Sequence, residues 1–307
     1  MNAAQRSFQG GNDKRLMEDL ARRNLAANLH VTDLPYRFSS SALDDPENAR
    51  LWFDREGQLA AWAMLQVPFW TLDYVCAPEV EVDLHPEMLA WADRRARESL
   101  DTGQGHPCWF ANVFSGQANR IRDLEAAGYK WQGNVGEDSL AKVLMLHAGQ
   151  TPVKMYQPPA GFTVRPLASM DEAPDYVALH RAVFESTTMT EEWHRRTLLH
   201  PDYQPDLDLV VEAPDGRLAA FCICWFDEGL RVGRVEPLGC HKDFRCFALG
   251  RVALSEGLRR LQSRGAQNIF VETDTFRNTA FRLYESFDFQ VIQNVFVYRK
   301  DYGEVEW

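Results

Sequence analysis

Two stretches of this chain match each other at a constant separation. Residues 51–62 and 210–221 both contain two apolar runs joined by a turn, and their turn glycines lie 159 positions apart. An acidic residue followed by glycine between two such runs is a strong signal for a β-hairpin. A second match joins residues 124–129 to residues 284–289 at a separation of 160. Two matches at nearly the same spacing predict one fold that occurs twice, with a period longer than that of a solenoid repeat.

The length of the chain, 307 residues, suits two domains of ordinary size. Thr-Pro at residues 151–152 and Pro-Pro at residues 158–159 are typical of a linker. We therefore expect one domain in residues 1–150, a linker in residues 151–160, and a second domain in residues 161–307.

The overall composition restricts the partners of the protein. A formal net charge of −11 argues against general binding to nucleic acid. No apolar run approaches the roughly twenty residues that a membrane-spanning helix needs, and the polar N-terminus lacks the pattern of a signal peptide. The six cysteines and eight histidines show no metal-ligand spacing. We expect a cytoplasmic protein without a metal and without nucleic-acid or membrane partners; the sequence sets no oligomeric state.

One short segment has the features of a phosphate-binding turn. Residues 245–250, Arg-Cys-Phe-Ala-Leu-Gly, follow an apolar strand predicted at 230–240 and open a helix predicted at 251–263. The first backbone N–H groups of a helix have no partner within it, and the helix dipole adds positive potential there. The small residues Ala248 and Gly250 let an anion approach the main chain closely. The segment therefore predicts a cradle for a diphosphate group.

This part of the chain resembles the GNAT acyltransferase superfamily. The acetyl-CoA signature of that family, Arg/Gln-x-x-Gly-x-Gly/Ala, matches residues 245–250 except that Ala248 replaces the first glycine. Residues 236–245 resemble the family's usual entry into the loop, and residues 280–289 are similar to its later Ala-x-x-x-Tyr-Glu-x-x-Gly-Phe motif. The three motifs follow one another in the family's order within residues 230–289.

The resemblance implies a fold and an activity. The fold is α/β, with two tandem GNAT-like domains that each have a mixed, mostly antiparallel sheet flanked by helices, and with a splayed strand at the acyl-CoA site. The activity is transfer of an acetyl or other acyl group from acetyl-CoA, the acyl-donor substrate, to a primary amine of a small molecule or peptide. The alternative is a non-catalytic protein that derives from such an enzyme and binds acyl-CoA as a sensor or scaffold.

The resemblance also assigns roles to particular residues. Tyr284 is the candidate acid that protonates the departing thiolate, because a phenol and a thiol have comparable basicity; a tyrosine on an amphipathic helix is otherwise a core residue. Glu236 is the candidate base for the amine, provided that its side chain faces the cleft. The splayed backbone is expected to stabilise the oxyanion and to pair with the pantetheine amides. The residues expected to hold the cofactor are Leu238, Gly239, Cys240, Arg245, Cys246, Phe247, Ala248, Leu249, Gly250, Arg251 and Asn278.

Three positions depart from the family pattern. Ala248 adds a methyl group where the diphosphate would lie, and Asp288 stands where the family usually has glycine. The family's asparagine before the alanine falls on Arg277, and Asn278 comes one place later. These departures favour the non-catalytic alternative, whereas the retained arginine, glycine and tyrosine of the motifs favour the enzyme.

The first copy lacks the features of the second. The constant separation predicts its phosphate turn near residues 85–90, which contain neither glycine nor arginine. The neighbouring Asp83 and Glu87 would repel a diphosphate. Leu124 stands where the second copy has Tyr284. We therefore expect the first domain to be a degenerate GNAT-like domain without an acetyl-CoA site.

The acceptor is expected to meet residues 185–208 of the second domain, because this stretch carries several carboxylates that would attract a cation. A solvated acidic surface explains the same composition. The carboxylates are those of Glu191, Glu192, Asp202, Asp206 and Asp208.

Overall fold

The structure, a computed structural model, describes residues 4–133, 141–276 and 278–303 of the chain. These residues form two compact units. The first unit takes the described residues of Met1–Val143, Asp274–Phe276 and Gln293–Trp307, and the second takes those of Leu144–Thr273 and Arg277–Ile292. The chain therefore enters the second unit before the predicted linker and returns to the first unit at its C-terminal end.

The first half of the chain supplies seven strands and four α-helices over the described ranges. The elements are β1 (Ala4–Ser7), α1 (Gly11–Arg23), α2 (Leu34–Phe38), β2 (Ala49–Phe53), β3 (Leu59–Gln66), β4 (Thr71–Cys76), α3 (Glu81–Ser99), β5 (Cys108–Phe114), α4 (Ala118–Ala126), β6 (Lys130–Trp131) and β7 (Ala141–Ala148).

The second half supplies the remaining elements. They are β8 (Thr163–Pro166), α5 (Ala173–Phe184), α6 (Glu191–Leu198), β9 (Asp208–Glu212), β10 (Leu218–Asp227), β11 (Val232–Cys240), α7 (Leu249–Ser263), β12 (Asn268–Asp274), α8 (Asn278–Glu285) and β13 (Gln290–Asp301).

Each unit has a mixed, mostly antiparallel sheet. Strand order is β1-β2-β3-β4-β5-β13 in the first unit and β7-β12-β11-β10-β9-β8 in the second. The pairs β4–β5 and β11–β12 are parallel. The fold class predicted from the sequence is confirmed. No helix in the described ranges is both long and apolar enough to cross a membrane.

Strand β3 illustrates why the central strands consist of continuous apolar residues. Ala61 and Ala63 lie in the core that packs on α3, whereas Trp62 and Met64 lie in the core that packs on α1. Strands that are covered on both faces need apolar residues at every position. The sheet of the first unit therefore has a helix layer on each side.

The duplicated hairpins have the same turn. In the first, Asp54 N–H donates to the Gln58 carbonyl (2.9 Å) and Gly57 has a φ of 76°. In the second, Ala213 N–H donates to the Arg217 carbonyl (2.9 Å), and its turn glycine, at position 216, has a φ of 83°. The acidic-residue–glycine pair places glycine where the backbone is left-handed, as the sequence predicted.

In the second unit, the sheet is covered by α7 on one face and by α5 on the other. A Cβ on Gly257 of α7 would lie 2.8 Å from the Cys224 sulfur, and a Cβ on Gly239 of β11 would lie 2.6 Å from Val183 of α5. Both glycines are therefore sites of close packing between a helix and the sheet. Cys222 and Cys224 are buried free thiols on the α7 face, as expected from their spacing in an apolar strand.

The C-terminal strand is divided between the units. From Gln293 onward β13 belongs to the first unit, where it pairs antiparallel with β5 from Val295 opposite Phe114 to Asp301 opposite Cys108. Residues from Leu144 onward in β7 belong to the second unit. A cut at the predicted linker would thus separate the first unit from one of its own strands.

Candidate functional site

The centre of the candidate site is a divergence between two parallel strands of the second unit. β11 and β12 pair only from Val232 opposite Asn268 to Arg234 opposite Phe270, although β11 continues to Cys240. On its other side, β11 keeps its pairing with β10 as far as Cys240 opposite Ala220. The register with β10 shifts near Glu236, which indicates a bulge in β11 at the start of the divergence. The two strands therefore open into a wedge.

The residues of β11 beyond the bulge alternate in exposure. Glu236, Leu238 and Cys240 are partly exposed, whereas Pro237 and Gly239 are buried. The side chain of Glu236 therefore reaches solvent rather than the core, a point that the sequence left open. Its backbone carbonyl accepts a hydrogen bond from Trp225 Nε1 (2.8 Å), which fixes the bulge against β10.

The predicted phosphate turn follows β11 and remains open. Residues 245–248 are exposed, and the turn leads directly into α7. The helix has no acidic residue in its first turn and no side chain that caps it. Among the described residues, Arg245 has no carboxylate within ion-pair distance. An exposed arginine beside uncapped backbone N–H groups is an arrangement that suits a phosphate.

The small residues of the turn leave room at the start of α7. A Cβ on Gly250 would have Leu283 Cδ2, at 3.7 Å, as its near neighbour, which is an ordinary van der Waals distance. Leu249 is buried and anchors the first turn of the helix, while Phe247 is exposed and packs on Phe162 with 5.0 Å between ring centroids. Burial raises the pKa of the Cys240 thiol to about 11, so this thiol is protonated at neutral pH.

Two of the departures from the family pattern share a backbone conformation. Ala248 has a φ of 56° and Asp288 has a φ of 58°, both in the left-handed region. Glycine adopts this region freely, whereas a Cβ makes it costly. The left-handed conformation explains why the family motif has glycine at these two positions. Ala248 and Asp288 keep the backbone conformation that glycine would adopt there. Asn278, the third departure, begins α8, but its side chain lies outside the described part of the structure.

Tyr284 is a buried residue of α8. It is 6% exposed, and its ring makes an edge contact with Phe289 at 5.6 Å. Burial raises the pKa of Tyr284 well above 10, and the neighbouring Cys222 and Glu236 raise it further. The phenol therefore holds its proton firmly, more firmly than a free tyrosine would. The preceding residue, Leu283, has its Cδ2 3.7 Å from the position of a Cβ on Gly250, so α8 packs beside the start of α7.

The acidic residues of the expected acceptor region are largely used in local contacts. Asp206 pairs with Arg264 (2.5 Å) and Glu192 pairs with Arg196 (2.7 Å). Asp208 is fully buried and accepts a hydrogen bond from the Tyr203 hydroxyl (2.9 Å). The region also contains α6, which the sequence did not predict. Its carboxylates therefore do not form a single open patch for a cation.

The first unit has a corresponding pair of diverging strands. β4 and β5 pair only at Thr71 opposite Phe110 and Leu72 opposite Ala111. Residues 27–30 line the space beyond, together with both strands, and the cavity that remains there is only about 40 Å³. Residues 27–30 therefore occupy the space between the diverging strands β4 and β5 of the first unit.

Two side chains of the α4 region hold this segment in place. Gln117 Nε2 and Arg120 Nη1 donate to the Ala27 carbonyl at 2.8 Å and 3.0 Å, and Arg120 also pairs with Glu81 at 2.7 Å. Helix α1 ends at Arg23, so residues 27–30 lie outside the helix and enter the wedge.

The phosphate turn of the first unit lies elsewhere than the sequence predicted. Residues 85–90 are inside α3, which begins at Glu81, so the turn comprises residues 77–80. The constant separation fails here because α3 has 19 residues and α7 has 15, and because the loop after α3, residues 100–107, is four residues longer than the loop at residues 264–267. Glu81 and Asp83 still lie in the first turn of the helix, where they oppose an anionic ligand.

The second half of the chain is similar to a known protein family. Residues 174–289 match the model of the Acetyltransferase (GNAT) family. The match lies within the second half of the chain and covers the proposed phosphate turn, α7, β12 and α8.

Curated relatives support the same assignment. A protein named Mycothiol acetyltransferase from Kineococcus radiotolerans is 36% identical over 135 residues, which cover 42% of this chain and 43% of that protein. A second protein of that name, from Clavibacter michiganensis, is 32% identical over 136 residues, covering 40% of this chain and 44% of the relative. The matched part of the chain spans less than half the length of these relatives.

Solved structures resemble the whole chain. A GCN5-related N-acetyltransferase from Sphaerobacter thermophilus has a TM-score of 0.68 at 17% identity, covering 98% of this chain and 96% of that one. A tandem GNAT protein from the clavulanic acid biosynthesis pathway has a TM-score of 0.65 at 13% identity, covering 99% and 100%. At these identities the likeness is one of fold.

Proposed function

We propose that the second unit binds acetyl-CoA between β11 and β12 and transfers its acetyl group to a primary amine of a small molecule or peptide. The observation that carries the proposal is the wedge beyond Arg234, which leads into the open turn at the start of α7. Pantetheine amides would pair with β11 as an added strand, and the diphosphate would meet the backbone N–H groups of residues 248–250 and Arg245. Cys246, Phe247 and Leu249 shape this turn.

The residues of the wedge have distinct tasks in this proposal. Acetyl-CoA supplies the activated thioester carbonyl. Backbone N–H groups of residues 238–240 stabilise the negative charge that develops on the carbonyl oxygen. Glu236, whose side chain is partly exposed, accepts the proton that the attacking amine loses. Tyr284 gives its proton to the sulfur as the carbon–sulfur bond breaks, and the amine nitrogen forms the new bond to the acyl carbon.

The names of the curated relatives suggest one class of acceptor. Because the curated relatives are named mycothiol acetyltransferases, we include an amine related to mycothiol among the acceptors. The paired carboxylates of residues 191–208 favour an acceptor that is not chosen by positive charge alone. We further propose that the protein acts in the cytoplasm.

A specific observation supports the alternative, a protein that binds acyl-CoA without turnover. Burial raises the pKa of Tyr284, and donation of its proton to a thiolate is then less favourable than for a phenol of ordinary pKa. Tyr284→Phe distinguishes the two functions, because it removes the proton and leaves the ring in place.

The test combines titration calorimetry with a thiol-release assay against a panel of primary amines. An acetyltransferase is expected to bind acetyl-CoA and release thiol with at least one amine, and Tyr284→Phe should keep the affinity while it slows release by about a hundredfold or more. Binding without amine-dependent release from the unaltered protein would favour the sensor. Absence of binding would exclude both.

A further inference from the structure

The linker lies along the helix that begins at the proposed diphosphate site. Residues 149–156 follow α7 from its C-terminal part towards its N-terminus. Gln262 Nε2 donates to the Thr151 carbonyl (2.6 Å), and the N–H of Tyr156 donates to Ser255 Oγ (3.3 Å). These two contacts are about two helical turns apart, or roughly 10 Å along the axis. The linker is thus part of the second unit rather than a free tether.

Where the linker reaches the N-terminal part of α7, two positively charged side chains lie near the ring of Tyr156. Lys154 Nζ lies 5.1 Å from the centroid of the Tyr156 ring, and the Arg251 guanidinium carbon lies 5.8 Å from the same centroid. Phe287 packs on Tyr156 with 5.6 Å between ring centroids. Because these groups lie 5.1 Å and 5.8 Å from one ring centroid, at most about 11 Å separates the two positive charges.

Neither cation has a negative partner in the part of the chain that the structure describes. Within the described ranges, neither Lys154 nor Arg251 has a carboxylate within ion-pair distance, although the chain has 44 acidic residues for 33 lysines and arginines. Arg251 also lies in the first turn of α7, where the helix dipole disfavours a positive charge. Two like charges at an unfavourable helix end are stabilised when an anion binds between them.

We propose that Lys154 and Arg251, positioned by Tyr156, bind the phosphate on the ribose of coenzyme A and so make the protein prefer coenzyme A to dephospho-coenzyme A. This inference rests on the proposed function, since the diphosphate must lie at residues 245–250. Arg251 follows Ala248 by one turn of helix, about 5 Å along the axis, so the pair lies beside the proposed diphosphate position. The linker therefore supplies a specificity-determining residue, Lys154, and a positioning residue, Tyr156.

The test is titration calorimetry of the full chain with coenzyme A and with dephospho-coenzyme A. The unaltered protein is expected to bind coenzyme A about tenfold more tightly, the effect of one charge-assisted contact. Lys154→Ala should reduce this ratio towards one while the affinity for dephospho-coenzyme A stays unchanged. Tyr156→Leu should reduce the ratio in part, and the control Lys130→Ala, which removes an exposed lysine of the first unit, should leave the ratio unchanged.

The other outcomes overturn the inference in distinguishable ways. If the unaltered protein binds both ligands equally, or if Lys154→Ala keeps the full ratio, the inference is wrong and the proposed function stands. If neither ligand binds, the proposed function fails and the inference fails with it. Equal losses for both ligands in Lys154→Ala would mean that the lysine supports the fold of the site and does not read the ribose phosphate.

Discussion

The backbone of Ala248, in the phosphate turn, has a conformation that lowers the stability of the folded protein. Ala248 is left-handed, with a φ of 56°, and an L-residue in this region is less stable than glycine by about 1–2 kcal/mol. Aspartate tolerates the region better, because its short polar side chain can hydrogen-bond locally. The turn therefore keeps the shape that glycine would give it and loses some stability.

The first prediction is that Ala248→Gly stabilises the protein by about 0.5–1 kcal/mol, the relief of left-handed strain less the added freedom of the unfolded chain. Urea unfolding followed by circular dichroism measures the change. Asp288→Gly is the matched comparison, at a φ of 58°, and should gain less. A loss of stability in Ala248→Gly would contradict a left-handed backbone at this position.

A second residue-scale prediction concerns Gly250. A Cβ there would meet Leu283 at 3.7 Å, so Gly250→Ala should fold normally and gain slightly in helix propensity. The family signature accepts alanine at this position, so the affinity of Gly250→Ala for acetyl-CoA should stay within a few-fold of the unaltered protein. The large side chain of Gly250→Trp should block the approach of the diphosphate to the main chain and lower the affinity by about tenfold or more. Calorimetry of both variants, with thermal melts to check folding, measures these effects. Unchanged affinity in a folded Gly250→Trp would mean that the cofactor does not approach this backbone.

At the scale of elements, the start of β9 contains a buried carboxyl. Burial raises the pKa of Asp208 to about 7 from an ordinary value of 3.8, while the Tyr203 hydroxyl bonds one of its oxygens. Between these two pKa values the folded state binds more protons than the unfolded state. The contribution of Asp208 to the free energy of unfolding is therefore largest below about pH 4. This contribution falls as pH rises towards 7.

The third prediction follows from this linkage. Asp208→Asn cannot ionise and can still accept the Tyr203 hydrogen bond, so its melting temperature relative to the unaltered protein should rise between pH 5 and pH 8. Thermal melts at both values test this trend. Asp175→Asn, which removes an exposed carboxylate of α5, controls for the loss of one charge. A difference that is the same at both pH values would show that Asp208 does not titrate in this window.

The sequence predicted some elements well because their signals are local. Helix α7 was predicted at 251–263 and is found at Leu249–Ser263, and both hairpins follow from their turn residues. The end of α1 and the filled wedge of the first unit could not be predicted. They depend on Arg120, which binds a carbonyl 93 residues earlier in the chain. The contacts of the linker with α7 are long-range in the same way, since Tyr156 and Ser255 are 99 positions apart in the sequence.

The whole chain is not divided at one point. Residues 295–301 pair with β5 and contribute Val295, Val297 and Tyr298 to the buried residues of the first unit. The internal repeat predicted two copies of one fold, and it placed each copy in a continuous half of the chain. The terminal strand departs from that division, since a strand pairing between positions so far apart leaves no local signal.

The fourth prediction is that a chain of residues 1–150 does not fold stably alone, because β5 would lack its neighbour and its edge would be exposed. Circular dichroism melts and limited proteolysis of this fragment test it. Adding a separate peptide of residues 290–303 should restore protection if the missing strand is the cause. A cooperative melt of residues 1–150 without the peptide would show that the first unit does not need β13.

The central claim is that the chain has one acetyl-CoA site and that the second unit holds it. Titration calorimetry of the full chain with acetyl-CoA tests this claim most directly. The test variant is Arg245→Glu in the second unit, and the control is Arg94→Glu, the same charge reversal at an exposed arginine on α3 of the first unit. We expect one ligand per chain, lost in Arg245→Glu and retained in Arg94→Glu. Two ligands per chain, no binding, or binding that survives Arg245→Glu would contradict the claim.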